Sequence, residues 1–147
     1  MKKQLFTLFL VTGMALGLSA QETVQEKDLP AGIQTSFKSQ FAGASGAEWM
    51  MKDGTYKVHF KSNELKHMAS FDKDGNLTSK GVEIKETELP GAISSAVSSS
   101  HNGRKIEEIY KIEKGGVTSY MVKLTGEPKT KLMYSADGQL VKDKSGN

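Results

Sequence analysis

One series of landmarks runs through this chain twice, so its fold must be two copies of one small unit. Leu29-Pro30 returns as Leu89-Pro90, Ile33 as Ile93, Phe37 as Val97, and Trp49-x-Met51 as Tyr110-x-Ile112. Tyr56-x-Val58-x-Phe60 answers to Tyr120-x-Val122-x-Leu124, and Phe71-x-x-Asp74-Gly75-x-Leu77 to Tyr134-x-x-Asp137-Gly138-x-Leu140. The spacing between landmarks drifts only where turns are expected. The repeats are placed at residues 28–86 and 87–143, with 21–27 as a linker and 144–147 as a tail.

Each copy opens on a helical period. Proline is tolerated in the first turn of a helix, where its missing donor would be unpaired anyway, and an acidic residue before Leu-Pro suits the positive end of the dipole. Ile33, Phe37 and Phe41 recur every fourth residue and form one apolar stripe. The second helix, from Pro90 to about Ser100, keeps Ile93 and Val97 on a serine-rich background. The period then changes to two, which argues strands. Trp49 and Met51 share a face, as do Tyr56, Val58 and Phe60, then Ala69 and Phe71, then Val82 and Ile84. Tyr110 with Ile112, the Tyr120 triplet, and Leu132 with Tyr134 repeat the set. Gly54, Asn63 and Asp74-Gly75 stand at the breaks as turn formers. Each unit therefore reads as one helix and about four antiparallel strands, an α+β architecture with both helices over the aromatic face of the sheet.

Residues 1–20 belong to targeting. Lys2 and Lys3 precede an apolar run from Leu5 to Leu18, too short to span a bilayer and the length of a signal-peptide core. Leu18-Ser19-Ala20 then turns polar at Gln21-Glu22, so cleavage is expected near Ala20, leaving a periplasmic or secreted chain without a stable membrane anchor. The chain has no cysteine, so neither a disulfide nor cysteine-linked lipid can hold it. Of its 20 basic residues two leave with the leader, against 17 acidic ones, and the remainder are dispersed along the sequence. Nucleic-acid binding is a poor match to that pattern.

Leu-Pro, a short amphipathic helix, Gly-Ala, an aromatic-led strand, Gly-x-Tyr-x-Val-x-Phe and Phe-Asp-x-Asp-Gly-x-Leu together resemble the PepSY-like family of bacteroidete envelope proteins. The match spans about residues 27–143. The resemblance implies a fold similar to β-lactamase-inhibitor proteins, an exported destination and no established catalytic residues. Ser-His-Asn-Gly at residues 100–103 departs from the family's aromatic-Pro-Gly-Ala stretch.

The residues themselves point to no catalytic site, no cofactor and no zinc site. His59, His67 and His101 are the three histidines, and alternation sets His59 and His67 on opposite faces. Ser94, Ser95, Ser98, Ser99 and Ser100 read as a solvated helix face, with no base placed to activate any of them. Asp72-Lys73-Asp74-Gly75-Asn76 has the look of a calcium loop through Asp72 and Asp74, but its glycine comes at position four rather than six, and a hairpin turn is the better reading, since Ser135-Ala136-Asp137-Gly138 keeps Asp-Gly and loses the first aspartate. A calcium-responsive envelope protein and a structural domain without ligand are the alternative readings.

The leading reading is a binding or inhibitory module acting on another envelope protein or peptide. Strand parity puts Met50, Lys57, His59, Lys61, Lys66, Met68, Ser70, Met121, Lys123, Lys131 and Met133 on the face the helices leave open. Four of the five methionines beyond the leader fall there. A solvated sheet face favours Thr, Lys and Glu, whereas methionine suits an adaptable contact surface. Met50, Lys57, His59, Lys61, Met68, Met121, Lys123, Lys131 and Met133 are the expected partner-binding set. As outward residues, Met68, Met121 and Met133 are expected to matter little to folding.

Overall fold

A computed structural model describes residues 21–146, so the expected leader lies outside the described residues. Those residues form a single antiparallel sheet whose nine strands follow one another in chain order: β1 (Glu22–Val24), β2 (Ser45–Lys52), β3 (Thr55–Ser62), β4 (Leu65–Phe71), β5 (Leu77–Glu83), β6 (Ile106–Lys114), β7 (Val117–Leu124), β8 (Thr130–Ser135) and β9 (Leu140–Ser145). Helix α1 (Ala31–Gln40) connects β1 to β2, and α2 (Gly91–Ser100) connects β5 to β6. Strands β2–β5 and β6–β9 are the four strands expected of each unit. No helix among the described residues is long and apolar enough to cross a membrane.

The two units are built alike in detail. A three-residue 3-10 turn, Glu26–Asp28 or Glu86–Glu88, precedes each Leu-Pro, so the acidic residues sit in that turn rather than in the helix. Pro30 and Pro90 hold extended backbone, and their carbonyls take the first helical hydrogen bonds, from Ile33 and Ile93, at 2.9 Å. Phe41 and His101 close the helices through their N–H groups to Phe37 and Val97.

Two buried clusters lie under the helices. Leu29, Ile33, Phe37, Trp49, Val58, Phe60, Ala69 and Phe71 form the first. Phe37 stands edge-on to Trp49 and Phe60, with ring centres 5.1 and 5.2 Å away, an arrangement aromatic quadrupoles favour. In the second cluster Val97, Ile109, Leu124, Leu132 and Tyr134 take the corresponding places. The smaller Val97 and Ile109 are offset by Leu132, which stands where the first unit has Ala69, in keeping with the close packing of protein interiors. The clusters share no residue, and the sheet crosses between them where Lys80–Glu83 of β5 pairs with Tyr110–Glu113 of β6.

Register fixes which side each residue occupies, because directly opposed residues share a face. Phe60, His67, Val82, Lys111, Tyr120 and Tyr134 are opposed in succession from β3 to β8, so both helices pack on one face. The same register corrects three sequence expectations. Ile109, not Tyr110, is the counterpart of Trp49; Tyr110 and Ile112 point to the opposite face, because equivalence had followed aromatic character rather than distance from the helix. The segment read as a linker, 21–27, contains β1, whose Val24 opposes Trp49. Of the segment read as a tail, Lys144 and Ser145 belong to β9 and pair with Lys131 and Thr130.

The Asp-Gly turns seat the helices. Asp72 accepts at one carboxylate oxygen from the Asp74 and Asn76 N–H groups, both at 2.9 Å, and at the other from the Asn76 amide. These bonds, chiefly that of the Asn76 side chain, hold the Asp72 carboxyl below the usual carboxylate range. Ser135 serves the second turn, its hydroxyl accepting from the Gln139 N–H. Gly75 (φ +88°) lies against the first turn of α1, where an added Cβ would stand 2.8 Å from the Gly32 carbonyl carbon. At Gly138 (φ +90°) it would stand 2.8 Å from the Ala92 Cβ. Gly75→Ala is expected to cost roughly 2–4 kcal/mol through strain and crowding together. Gly54→Ala, with the same backbone strain and nothing near it, should cost only ~1 kcal/mol. Urea titration of the two variants checks the difference.

Candidate functional site

The face without helices curls inward. Lys52 of β2 and Lys142 and Lys144 of β9 line one cavity of about 950 Å³, although six strands separate β2 from β9 along the sheet. His59 of β3 lies within the field of Lys123 on β7 and Lys131 on β8. Right-handed strand twist accumulated over a long sheet, with cover on one side only, closes the other side into a trough.

By register all nine residues expected from sequence lie on this face, and of them Lys123 and Lys131 line the cavity. Met50, Lys57, His59, Lys61 and Met68 come from β2–β4, and Met121, Lys123, Lys131 and Met133 from β7 and β8. In the flat sheet the two groups are separated by β5 and β6; curvature brings them across from each other. The methionines are not freely exposed, which corrects the expectation that they matter little to folding. Met121 is only 7% exposed, and Met50, Met68 and Met133 are half-buried. Tyr110, at 3% exposure, and Ile112 join them from β6 to make an apolar floor. Gly81 makes room for it: a Cβ there would lie 2.8 Å from Met68 and 3.1 Å from Ile112.

Charge surrounds the floor. The Glu108 carboxylate accepts from both Lys66 and Lys123, which ties β6 to β4 and β7, and Glu83 stands 3.6 Å from Lys66. Burial opposes ionisation of Glu108, but the two lysine hydrogen bonds outweigh it and hold the carboxyl below its usual range. The Lys123 ammonium also sits 5.8 Å from the centre of the Tyr110 ring, a cation–π contact. Burial, followed by the Glu108 charge, pushes the Tyr110 hydroxyl up to about 12.

Beyond Glu108 the balance is lost. Lys123, Lys131 and Lys144 oppose one another directly on β7, β8 and β9. Burial, then Lys123, Lys144 and Lys57, hold Lys131 below the usual lysine range. Lysines dispersed in sequence are thus gathered in space; strand parity put Lys123 and Lys131 on this face, but Lys144 fell in the segment read as a tail. Arg104 was missed as well. Its guanidinium donates to Thr125 O at 2.9 Å, Thr130 Oγ1 at 2.7 Å, Pro128 O at 2.8 Å and Gly126 O at 3.2 Å, fixing the β7–β8 loop that walls the cavity. A lone arginine preceding a strand gave no cue to that clamp.

Asp72 and Asp74 lie away from the trough, in the turn under α1, with Asp72 engaged in the turn's own hydrogen bonds. Among the described residues no three His, Cys, Asp or Glu side chains are grouped to hold a metal ion. The trough offers ammonium groups, thioethers and one bridging carboxylate, which is chemistry for contact and charge matching.

Known proteins share this fold. The PepSY-like family model, described as beta-lactamase-inhibitor-like, matches residues 54–142. No curated protein matches the sequence. Among solved structures, a Bacteroides eggerthii protein described as periplasmic superposes with a TM-score of 0.69 at 17% identity, covering 80% of this chain and 88% of its own. A DUF2874 family protein from Bacteroides ovatus gives 0.65 at 20% identity, covering 80% and 87%. A BLIP-like protein from Bacteroides fragilis gives 0.61 at 22% identity, covering 80% and 86%. At these identities the likeness is one of fold.

The lysine row and His59 each yield an expectation. Lys131→Glu replaces two repulsive cross-strand pairs by attractive ones and is expected to stabilise the protein by about 0.5–1 kcal/mol at low ionic strength. The gain should shrink as salt screens it, in thermal melts with and without added NaCl. Burial, reinforced by Lys123 and Lys131, holds His59 below its ordinary 6.5. The unfolded chain therefore binds more protons just below pH 6.5, and stability falls as pH drops through that value. In melts between about pH 7.5 and 5, His59→Gln should flatten that part of the profile.

Proposed function

Because the chain belongs to the PepSY-like, beta-lactamase-inhibitor-like family, we propose that it is a non-catalytic periplasmic module that binds another envelope protein or peptide across the concave face of its sheet. The carrying observation is the floor of that face. Met68, Met121 and Met133 come together there with Tyr110 and Ile112 inside a ring of charge, on the side without helices. Thioether side chains repack against partners of different shape, and an apolar centre with a polar rim is the anatomy of a protein interface. The apolar leader and the periplasmic description of a structural neighbour support export, with the mature chain beginning at Gln21.

The test is site-specific photo-crosslinking in intact cells. A photo-reactive residue in place of Met68 is expected to give discrete adducts, and the same group in place of Ser98, exposed on α2, is expected to give none. Adducts at Ser98 with none at Met68 would move the interface to the helices and overturn the reading.

A further inference from the structure

The lysine row at one side of the trough works against folding. Lys123, Lys131 and Lys144 stand directly opposite one another on three successive strands, an arrangement that destabilises a sheet. Glu108 pairs with Lys123 at the start of the row. Among the described residues no carboxylate forms a salt bridge with Lys131 or Lys144. Lys52, Lys129 and Lys142 join them around the same cavity, where Glu107 and Glu127 are the acidic lining residues. With Lys123 already paired to Glu108, five further ammonium groups face two carboxylates, which makes a strongly positive pocket, and its wall is already fixed by Arg104. Local repulsion held in a prepared shape is relieved when an anion enters.

We infer that this groove receives a carboxylate-rich segment of the partner protein; the inference rests on the concave face being the binding face. The neighbouring side chains favour protein over other polyanions. Met133 opposes Lys142 and stands beside Met121, so the charged groove opens directly onto the apolar floor. A sulfated glycan matches the lysines and leaves the thioethers without a partner. An anionic bilayer is flat, and the lysines lie inside a concavity. A protein segment in which acidic and bulky apolar side chains alternate matches both parts, with carboxylates on the lysine row and apolar groups on the methionines.

The experiment uses the chain from Gln21 onward and fluorescence anisotropy of a labelled synthetic peptide alternating Glu and Leu, with dextran sulfate and anionic phospholipid vesicles as competitors. The peptide is expected to bind, to weaken steeply with added salt, and to lose about tenfold or more in affinity for the Lys131→Glu, Lys144→Glu double variant. A thermal melt of that variant at or above the parent value shows that the loss is not unfolding. Met133→Thr should weaken the peptide severalfold and leave dextran sulfate binding unchanged. Equal peptide affinity in parent and double variant, or no peptide binding, overturns the inference. Tighter binding of dextran sulfate or vesicles than of the peptide also overturns it, by assigning the groove to a glycan or a membrane. Crosslinks from position 68 that persist in the double variant leave the binding face standing while the acidic partner falls; no crosslinks in the parent remove the binding face itself.

Discussion

Cover on a single side governs this molecule. Two ten-residue helices seal one face of a nine-stranded sheet, and the other face has only its own side chains with which to exclude water. A twisted sheet in that position lowers its exposed apolar area by curling, which brings side chains from distant strands together. Tyr110 and Met121 are buried on a face with no second layer for this reason. The same curvature that shields the methionines crowds the lysines around them, so the floor and its charged rim have one cause.

The two units spend their side chains differently. The first fills its core with a ring cluster centred on Phe37, and the second with branched aliphatics around Val122 and Leu132. The turn that Asp72 holds with its carboxylate is held in the second unit by the Ser135 hydroxyl. These exchanges keep the shape while letting the open faces diverge: the second unit carries the unpaired lysines and the Arg104 clamp. The two units share a scaffold, and their differences place the charge on one side of it.

Much of this was legible from residues alone. Leu-Pro starts, the Ile33 and Ile93 stripes and the period-two runs give both helices, the antiparallel strands and the faces of all nine expected contact residues. The failures have physical causes. Tyr110 was matched to Trp49 by its ring, whereas the register aligns Ile109 with it, and alternation reverses the face of every residue when the frame moves by one. β1 is three residues long and carries no period to detect. Periodicity assigns a residue to a side of the sheet but says nothing of curvature, so neither the burial of Met121 nor the meeting of Lys52 with Lys142 could be read in advance.

The seam between β5 and β6 bears on how the chain loses its structure. The two apolar clusters have no residue in common, and Lys80–Glu83 pairing with Tyr110–Glu113 is the ladder that joins them. Each half thus has an apolar core of its own, joined to the other by that ladder, by the Lys66–Glu108 pair and by the floor of the trough, in the manner of a two-repeat array. Damage confined to one core can melt that half while its neighbour stays folded. Such a half-open species would present the unpaired edge of β5 or β6 to solvent, and that edge, rather than the full unfolded chain, is where self-association would begin.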